Sequence, residues 1–530
     1  MGYKSGLDYN PDIMKQYLLF VIFLPLICSS AFSQSASPQL DQILIKNAVI
    51  IDGAGSERFK GDIFIENGLI KQIGTFPIPE NLSGHIIDAA GRIVSPGFID
   101  THSHGNPLDT PRFDNFLAMG VTTITLGQDG SSPGTGNLNN WMNLVDDTGT
   151  GPNIVHFTGH NSLRFLVNAP RESGLNDRLI SDMQTQLAAA LTAGSFGLST
   201  GLEYDHGRFS DQRELNEIAR PVASANGVVM SHMRNEDDDA IEESVRELVN
   251  QGMVSGAAVH ASHLKIVYAN DPARADTVLQ IMNRARESGL SVTGDVYPYT
   301  ASYTGISILF PDFALPPNSY RHAVENRRDE LSAYLRERVN SRNGPEATLL
   351  GTAPWAGQTL KEVADSLSKP FEDVLIDDIG PHGAGAAYFV MNEEVMKRFL
   401  TDPHIMVSSD GSPTMHHPRG YGSFAKIIDD YVNSEKLLTL EEAIHKMSGL
   451  PANTLGLSDP SVVDTPRGII KEGFSADLLI FNPENVRDTA TFGNPHQLAE
   501  GFDWVIINGT AVIEDGKRNK ALPAGVIRRR

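Results

Sequence analysis

Two histidines one residue apart, His102 and His104 in PGFIDTHSHGNP, end an apolar run that begins at Pro96. Extended backbone sends alternate side chains to opposite faces, so both imidazoles point the same way and can share one divalent ion. A polar strand end carrying two exposed histidines is the plainer reading of this stretch alone. The arrangement recurs, however. Asp129 closes GVTTITLGQD, His232 closes NGVVMSH, His263 closes GAAVHASH and Asp410 closes HIMVSSD. One histidine in such a place is usually a satisfied structural group. Four histidines and two aspartates, each following an apolar strand, would leave water together if the strand ends converge, and would then need a compensating partner. One or two divalent cations provide it.

The donor set is narrow. Cys28 is the only cysteine among 530 residues and falls in an N-terminal leader. Without it the chain offers no thiolate nucleophile and no thiolate ligand. Any ion is held by nitrogen and oxygen, which suits zinc or a similar divalent metal.

The elements that must position these residues alternate. Between residues 98 and 466, helix-like stretches such as DQRELNEIARPVASA and DDAIEESVRELVNQG precede apolar strands. This rhythm predicts a parallel sheet with crossover helices, and in one domain of this length a (β/α)8 TIM-like barrel, whose chemistry lies at the C-terminal strand ends. Residues 301–385, with FPDFALPPNSY, read as an insertion capping the barrel mouth. Both chain ends have another texture. QILIKNAVIIDGAG and GDIFIENGLIKQIG near the start, and GIIKEGFSADLLIFNP and DWVIINGTAVIEDGK near the end, are short alternating runs split by Asn-Gly and Asp-Gly turns. Residues 40–97 and 467–520 are expected to form one small β-sandwich domain, two unrelated β-appendages being the alternative.

A net charge of −22 disfavours nucleic acid as a partner. Lys15, the apolar run YLLFVIFLPLIC, and small residues Ala31 and Ser33 make residues 1–33 a signal-peptide pattern, with cleavage before Gln34. The apolar run is too short to span a bilayer as a helix. The chain is expected to be exported to the periplasm or beyond, with no stable membrane span once the leader is removed.

The strand-end residues and their neighbours resemble the amidohydrolase superfamily and, within it, the N-acyl-D-amino-acid deacylase (D-aminoacylase) family. The matching text is PGFIDTHSH, STGLEY, SHMRNE, ASHLK, DVYPYTAS, SSDG, HPRGYG and GIIKEGFSADLLIFNP. The resemblance implies that His102 and His104 bind one metal, zinc by expectation, that His232 and His263 bind another, and that Asp410 is the catalytic aspartate after the eighth strand. Relatives usually place a bridging cysteine after the second strand; here GQDG puts Asp129 there, with Glu203 of STGLEY in reserve. Lys265, Tyr297 and Arg419 occupy the positions that would hold a substrate α-carboxylate. A solvated lysine, a core tyrosine and a surface arginine are their plainer readings. His160 and Arg164 of GHNSLR are expected to be structural or to support the site from behind. The implied reaction is metal-dependent hydrolysis of the amide bond of a small molecule, an N-acyl-D-amino acid, and the apolar text ISILFPDFALPP favours a hydrophobic D-side chain. An isoaspartyl or other dipeptidase, a cyclic-imide hydrolase and a non-catalytic binder on the same scaffold are the alternatives. Many of the first two employ a carboxylated lysine as the bridging ligand, and no lysine other than Lys265 stands at a matching strand tip, which counts against them.

Overall fold

The computed structural model describes residues 42–78 and 82–530. The expected leader with Cys28 lies outside these residues, as do positions 40 and 41 at the expected start of the β-domain.

Eight parallel strands make the barrel: Phe98–Asp100, Val121–Leu126, Asn153–His156 (continued by Thr158–Gly159), Gly197–Gly201, Val228–His232, Ala258–Ala261, Val292–Val296 and Ile405–Val407. They pair in sequence order within a three-stranded and a six-stranded ladder, and a parallel bridge between Ser103 and Gly411 draws the last strand to the first. Every residue of Val121–Leu126 is buried, as parallel strands sandwiched between core and helices must be. This double burial is why the strands read as near-continuous apolar runs. The intervening helices start and stop on local chemistry. Asp211 caps Gln212–Ser224 by accepting the Glu214 amide N–H. Gly256, at φ 82°, closes Ile241–Ser255 in the left-handed region that glycine enters without strain.

One nine-stranded sheet joins both chain ends. Strand Gln42–Ile50 pairs with Phe59–Glu66, His85–Asp88 and Ile93–Pro96, and Ile93–Pro96 pairs with Leu478–Phe481 from the far end. Ile43, Ile45, Ile63, Ile65, Leu478 and Ile506 fill its core. The chain is thus an α/β protein, a (β/α)8 barrel with a β-sandwich domain. Beyond the sandwich, the C-terminal residues return to the barrel, where Ala524 and Val526 bridge to Thr150 and Ile154.

Residues after the seventh barrel strand build a cap. Ser302–Gly305, Gly385–Tyr388 and Thr348–Leu350 form an antiparallel three-stranded sheet, backed by helices Arg328–Ser341 and Leu360–Leu367 around a core of its own. Among the described residues no helix is long and apolar enough to cross a membrane.

Candidate active site

Barrel closure brings six strand-end residues to one point. The Asp129 carboxylate is the centre: its Oδ1 lies 3.2 Å from His102 Nε2, 3.3 Å from His263 Nε2 and 3.5 Å from His232 Nδ1. Its Oδ2 lies 3.4 Å from His104 Nε2. Asp410 Oδ1 is 3.2 Å from His104 Nε2 and 3.8 Å from His102 Nε2. Beside a group at Glu203–His232–Glu236, two groups of donors meet at the centre, His102–His104–Asp129–Asp410 and Asp129–His232–His263, each with ligand atoms within 4.8 Å of one another. Asp129 belongs to both.

Backbone geometry marks the same residues. Asp129, His263 and Asp410 adopt φ of 54°, 38° and 47°. A residue with a side chain enters this region at a cost of about 1–3 kcal/mol, and Asn or Asp tolerates it better than His does. Three such residues in one cluster are held there by the surrounding fold, with their side chains turned off the strands and into the mouth.

The donor set fits divalent metal. His102 is fully buried, yet neither of its ring nitrogens makes a hydrogen bond among the described residues. Burial lowers its pKa and keeps it the neutral imidazole that metals bind. Burial also opposes charge on His104, but Asp129 and Asp410 beside it push its pKa up to about 10. Positive charge is therefore in demand at the cluster, met by protons when no ion is present and by an ion otherwise. Nitrogen and oxygen donors without sulfur match zinc and other borderline or hard divalent ions.

Behind the ligands stands a set of buried acids. Glu236 accepts from Lys265 Nζ at 2.7 Å, and its other oxygen lies 3.1 Å from His263 Nδ1. Glu203 lies 3.2 Å from His232 Nε2, on the side of the ring away from Asp129. Each carboxylate orients an imidazole through the nitrogen that does not face the cluster. Glu203, the reserve ligand by sequence, is better placed in this orienting role. Glu236 could have been suspected from SHMRNE, where it follows His232 by four residues.

Asp295 holds the strand ends in register. Fully buried, it accepts hydrogen bonds from Thr101 Oγ1 (2.8 Å), His260 Nε2 (2.7 Å), the His263 amide (2.6 Å) and Ser408 Oγ (2.8 Å). Burial works against its charge, but the His260 imidazole and these donors hold it well below the usual carboxylate range. Asp100, with Ser409 and the His102 amide as its donors, is pushed up to about 7 by burial. Neither acid stands out in the sequence, where each is one polar letter in an apolar strand. Replacing Asp295 by Ala strands four donors and is expected to destabilise the fold by about 3–5 kcal/mol. Urea unfolding followed by circular dichroism checks this, and a loss below 1 kcal/mol would remove Asp295 as the organising anion.

Lys265, Tyr297 and Arg419 also meet. The Tyr297 ring centroid is 5.9 Å from Lys265 Nζ and 4.6 Å from Arg419 Cζ. Arg419 Nη1 lies 3.0 Å from Asp410 Oδ2, and all three residues are buried, so none of the plainer readings of a solvated lysine or surface arginine applies. His160 and Arg164 are buried against Glu214, the imidazole at 2.8 Å, away from the cluster. The stretch ISILFPDFALPP departs from its expected part: Ile306, Leu309, Phe310 and Ala314 lie in the core of the cap, because a cap with its own sheet and helices needs its own apolar interior. Ile308 alone of that stretch lines the recess beside Lys265. The mouth above the cluster is a cavity of about 840 Å³, bordered by His104, Asp129, Asp410 and Arg419.

Comparison with known proteins follows this geometry. A profile of the amidohydrolase family matches residues 358–513. Over 511 residues the chain is 32% identical to the N-acyl-D-glutamate deacylase of Alcaligenes xylosoxydans xylosoxydans, covering 92% of this chain and 96% of that one. It is 28% identical to the D-aminoacylase of the same organism over 510 residues, 91% and 96% of the two chains. The crystal structure of N-acyl-D-glutamate deacylase from Bordetella bronchiseptica, complexed with zinc and a phosphonate inhibitor, superposes with a TM-score of 0.78 at 30% identity, covering 92% of this chain and 100% of that one.

Proposed function

Because the chain belongs to the N-acyl-D-amino-acid deacylase family of the amidohydrolases, we propose that it hydrolyses the amide bond of N-acyl-D-amino acids, giving a carboxylate and a free D-amino acid. The observation that carries this reading is the Asp129 carboxylate shared between two histidine pairs with Asp410 on the same cluster. His102 and His104 with Asp129 would hold one divalent ion, and His232 and His263 with Asp129 would hold a second. Such an ion supplies Lewis acidity and lowers the pKa of water to about 7.

The chain's own residues do the rest. Asp410 takes a proton from the attacking water and delivers it to the amide nitrogen as the C–N bond breaks, since an amine leaves poorly without it. Arg419 lies on Asp410 Oδ2 and leaves Oδ1 facing His102 and His104, so the proton-accepting oxygen is aimed at the cluster. Lys265, Tyr297 and Arg419 bind and orient the substrate α-carboxylate, where charge-assisted hydrogen bonds in a buried site are strong. Glu203 and Glu236 keep His232 and His263 turned toward Asp129.

The test is amine release from paired N-acetyl-D- and N-acetyl-L-amino acids by purified, zinc-loaded protein. D-substrates are expected to be preferred by about 100-fold or more in kcat/KM. Equal turnover of both series, or none from either with metal bound, would sink the assignment. Export is also part of the proposal, supported by the leader pattern over residues 1–33. Sequencing the N-terminus of protein recovered outside the cytoplasm is expected to begin at Gln34; an intact leader on cytoplasmic protein would refute it.

A further inference from the structure

Arg419 has two tasks, resting on Asp410 and meeting the substrate α-carboxylate, yet little holds its guanidinium in place. The residue is buried, at 2% exposure. Nη2 donates to the Tyr303 carbonyl at a long 3.3 Å. Nε and Nη1 make no aligned hydrogen bond among the described residues, so the 3.0 Å approach of Nη1 to Asp410 Oδ2 is an ion pair without that alignment. A side chain tied so loosely at its tip takes its position from its root, the main chain at residue 419.

His417 fixes that root. Arg419 opens helix Arg419–Lys426, and the first backbone N–H groups of a helix have no partner inside it. The Arg419 amide donates instead to His417 Nδ1, at 3.0 Å. With Nδ1 accepting, the ring proton sits on Nε2, which lies 3.1 Å from the Ala301 carbonyl oxygen and donates to it. Ala301 leads directly into the cap strand Ser302–Gly305, whose Tyr303 supplies the carbonyl at Arg419 Nη2. One imidazole therefore ties the root of Arg419 to the cap strand that touches its tip. The ring is fully buried, and burial, with the Arg419 charge beside it, holds its pKa well below the ordinary imidazole value. Three aromatic rings hold it edge-on: Phe492 at 4.9 Å between centroids, Tyr299 at 5.7 Å and Tyr303 at 6.1 Å. Phe492 arrives from the β-sandwich, in the connection between strands Leu478–Phe481 and Phe502–Ile507.

We propose, resting on the deacylase reading, that His417 is a positioning residue for substrate binding: its bridge from the Arg419 amide to the Ala301 carbonyl sets Arg419 where it meets the α-carboxylate. His417 itself touches neither the cluster nor the substrate. It acts through Arg419, which borders both the recess beside Lys265 and the outer cavity. Without the bridge the guanidinium stays paired with Asp410 by charge, but its second partner, the carboxylate of the substrate, is no longer met in the right geometry.

The experiment compares two substrates that differ only at the α-carboxylate: the N-acetyl-D-amino acid that zinc-loaded parent protein turns over best, and its α-carboxamide. Acetate release gives kcat and KM for each. In the parent the acid is expected to lead the carboxamide in kcat/KM by about 100-fold or more, as charge-assisted bonds to a buried carboxylate imply. His417→Phe keeps a ring and removes both hydrogen bonds. KM for the acid is expected to rise at least about tenfold, the worth of one hydrogen bond to a charged group, and the acid-to-carboxamide ratio to shrink by the same factor at unchanged zinc content. His417→Asn, whose side-chain oxygen can accept from the amide two residues on, is expected to recover most of that loss. His417→Gln reaches toward Ala301 but brings no acceptor to the Nδ1 position, and gives the same reading as His417→Phe should that variant fold poorly. Equal losses on acid and carboxamide, a KM within about threefold of the parent, or a parent that turns over both substrates alike overturns the positioning role while leaving the deacylase reading in place. No turnover of any N-acetyl-D-amino acid by the parent with zinc bound overturns both.

Discussion

Asp410→Asn is expected to lower kcat by on the order of 10²–10⁴-fold, the range spanned by a positioned general acid–base. Burial works against a charge on Asp410, but the guanidinium of Arg419 and the neighbouring imidazoles hold it far below the usual carboxylate range. The group is therefore an unprotonated carboxylate, with Oδ1 left free by Arg419 as an acceptor when water attacks. Asparagine keeps the shape and tolerates the φ of 47° found here, so the fold survives while the proton acceptor is lost. Arg419 then keeps its charge without a full counter-charge, and the α-carboxylate of the substrate becomes its strongest available partner. KM is thus expected to fall or stay level while kcat collapses. Steady-state kinetics, with metal content and thermal melting read on the same preparation, check this. A kcat within tenfold of the parent at unchanged metal content would remove Asp410 from proton transfer.

Asp129→Ala is expected to weaken divalent-metal binding by more than about 100-fold, exceeding the loss usual for a partner that only orients a ligand. The reason lies in its reach. One carboxylate lies within 3.5 Å of His102, His104, His232 and His263, so its removal withdraws an anionic donor from both positions at once. The remaining imidazoles crowd one another, with His232 Nδ1 only 2.9 Å from His263 Nε2, and an ion there would have neutral donors alone. Calorimetric titration of chelator-stripped protein with zinc chloride reads affinity and stoichiometry directly. Parent-like affinity and stoichiometry in the variant would show that Asp129 is not the shared ligand.

Much of this cluster was legible in the sequence because its first requirement is local. A strand buried on both faces must be an apolar run, and a polar letter at its end is then conspicuous, as in ITLGQD, VMSH and IMVSSD. What escaped notice were polar residues inside the runs. Asp295 looks like an interruption of LSVTGDVYPY until Thr101, His260, His263 and Ser408 are seen around it. Glu236 escaped for a different reason: its partners Lys265 and His263 come from the next strand, and only lateral pairing of the strands brings them close. The apolar cap stretch shows the converse error, since hydrophobicity in a sequence does not say which interior a side chain fills.

By itself the sequence determined the alternation of strands and helices, the common face of His102 and His104, and a donor set of nitrogen and oxygen. These follow from backbone periodicity and side-chain chemistry, which need no knowledge of distant residues. Tertiary structure alone decided that Asp129 stands between two histidine pairs, that Arg419 rests on Asp410, and that Lys265 and Arg419 border one small recess beside the cluster. Those are relations between residues far apart in the chain, set when the barrel closes and the cap folds over its mouth.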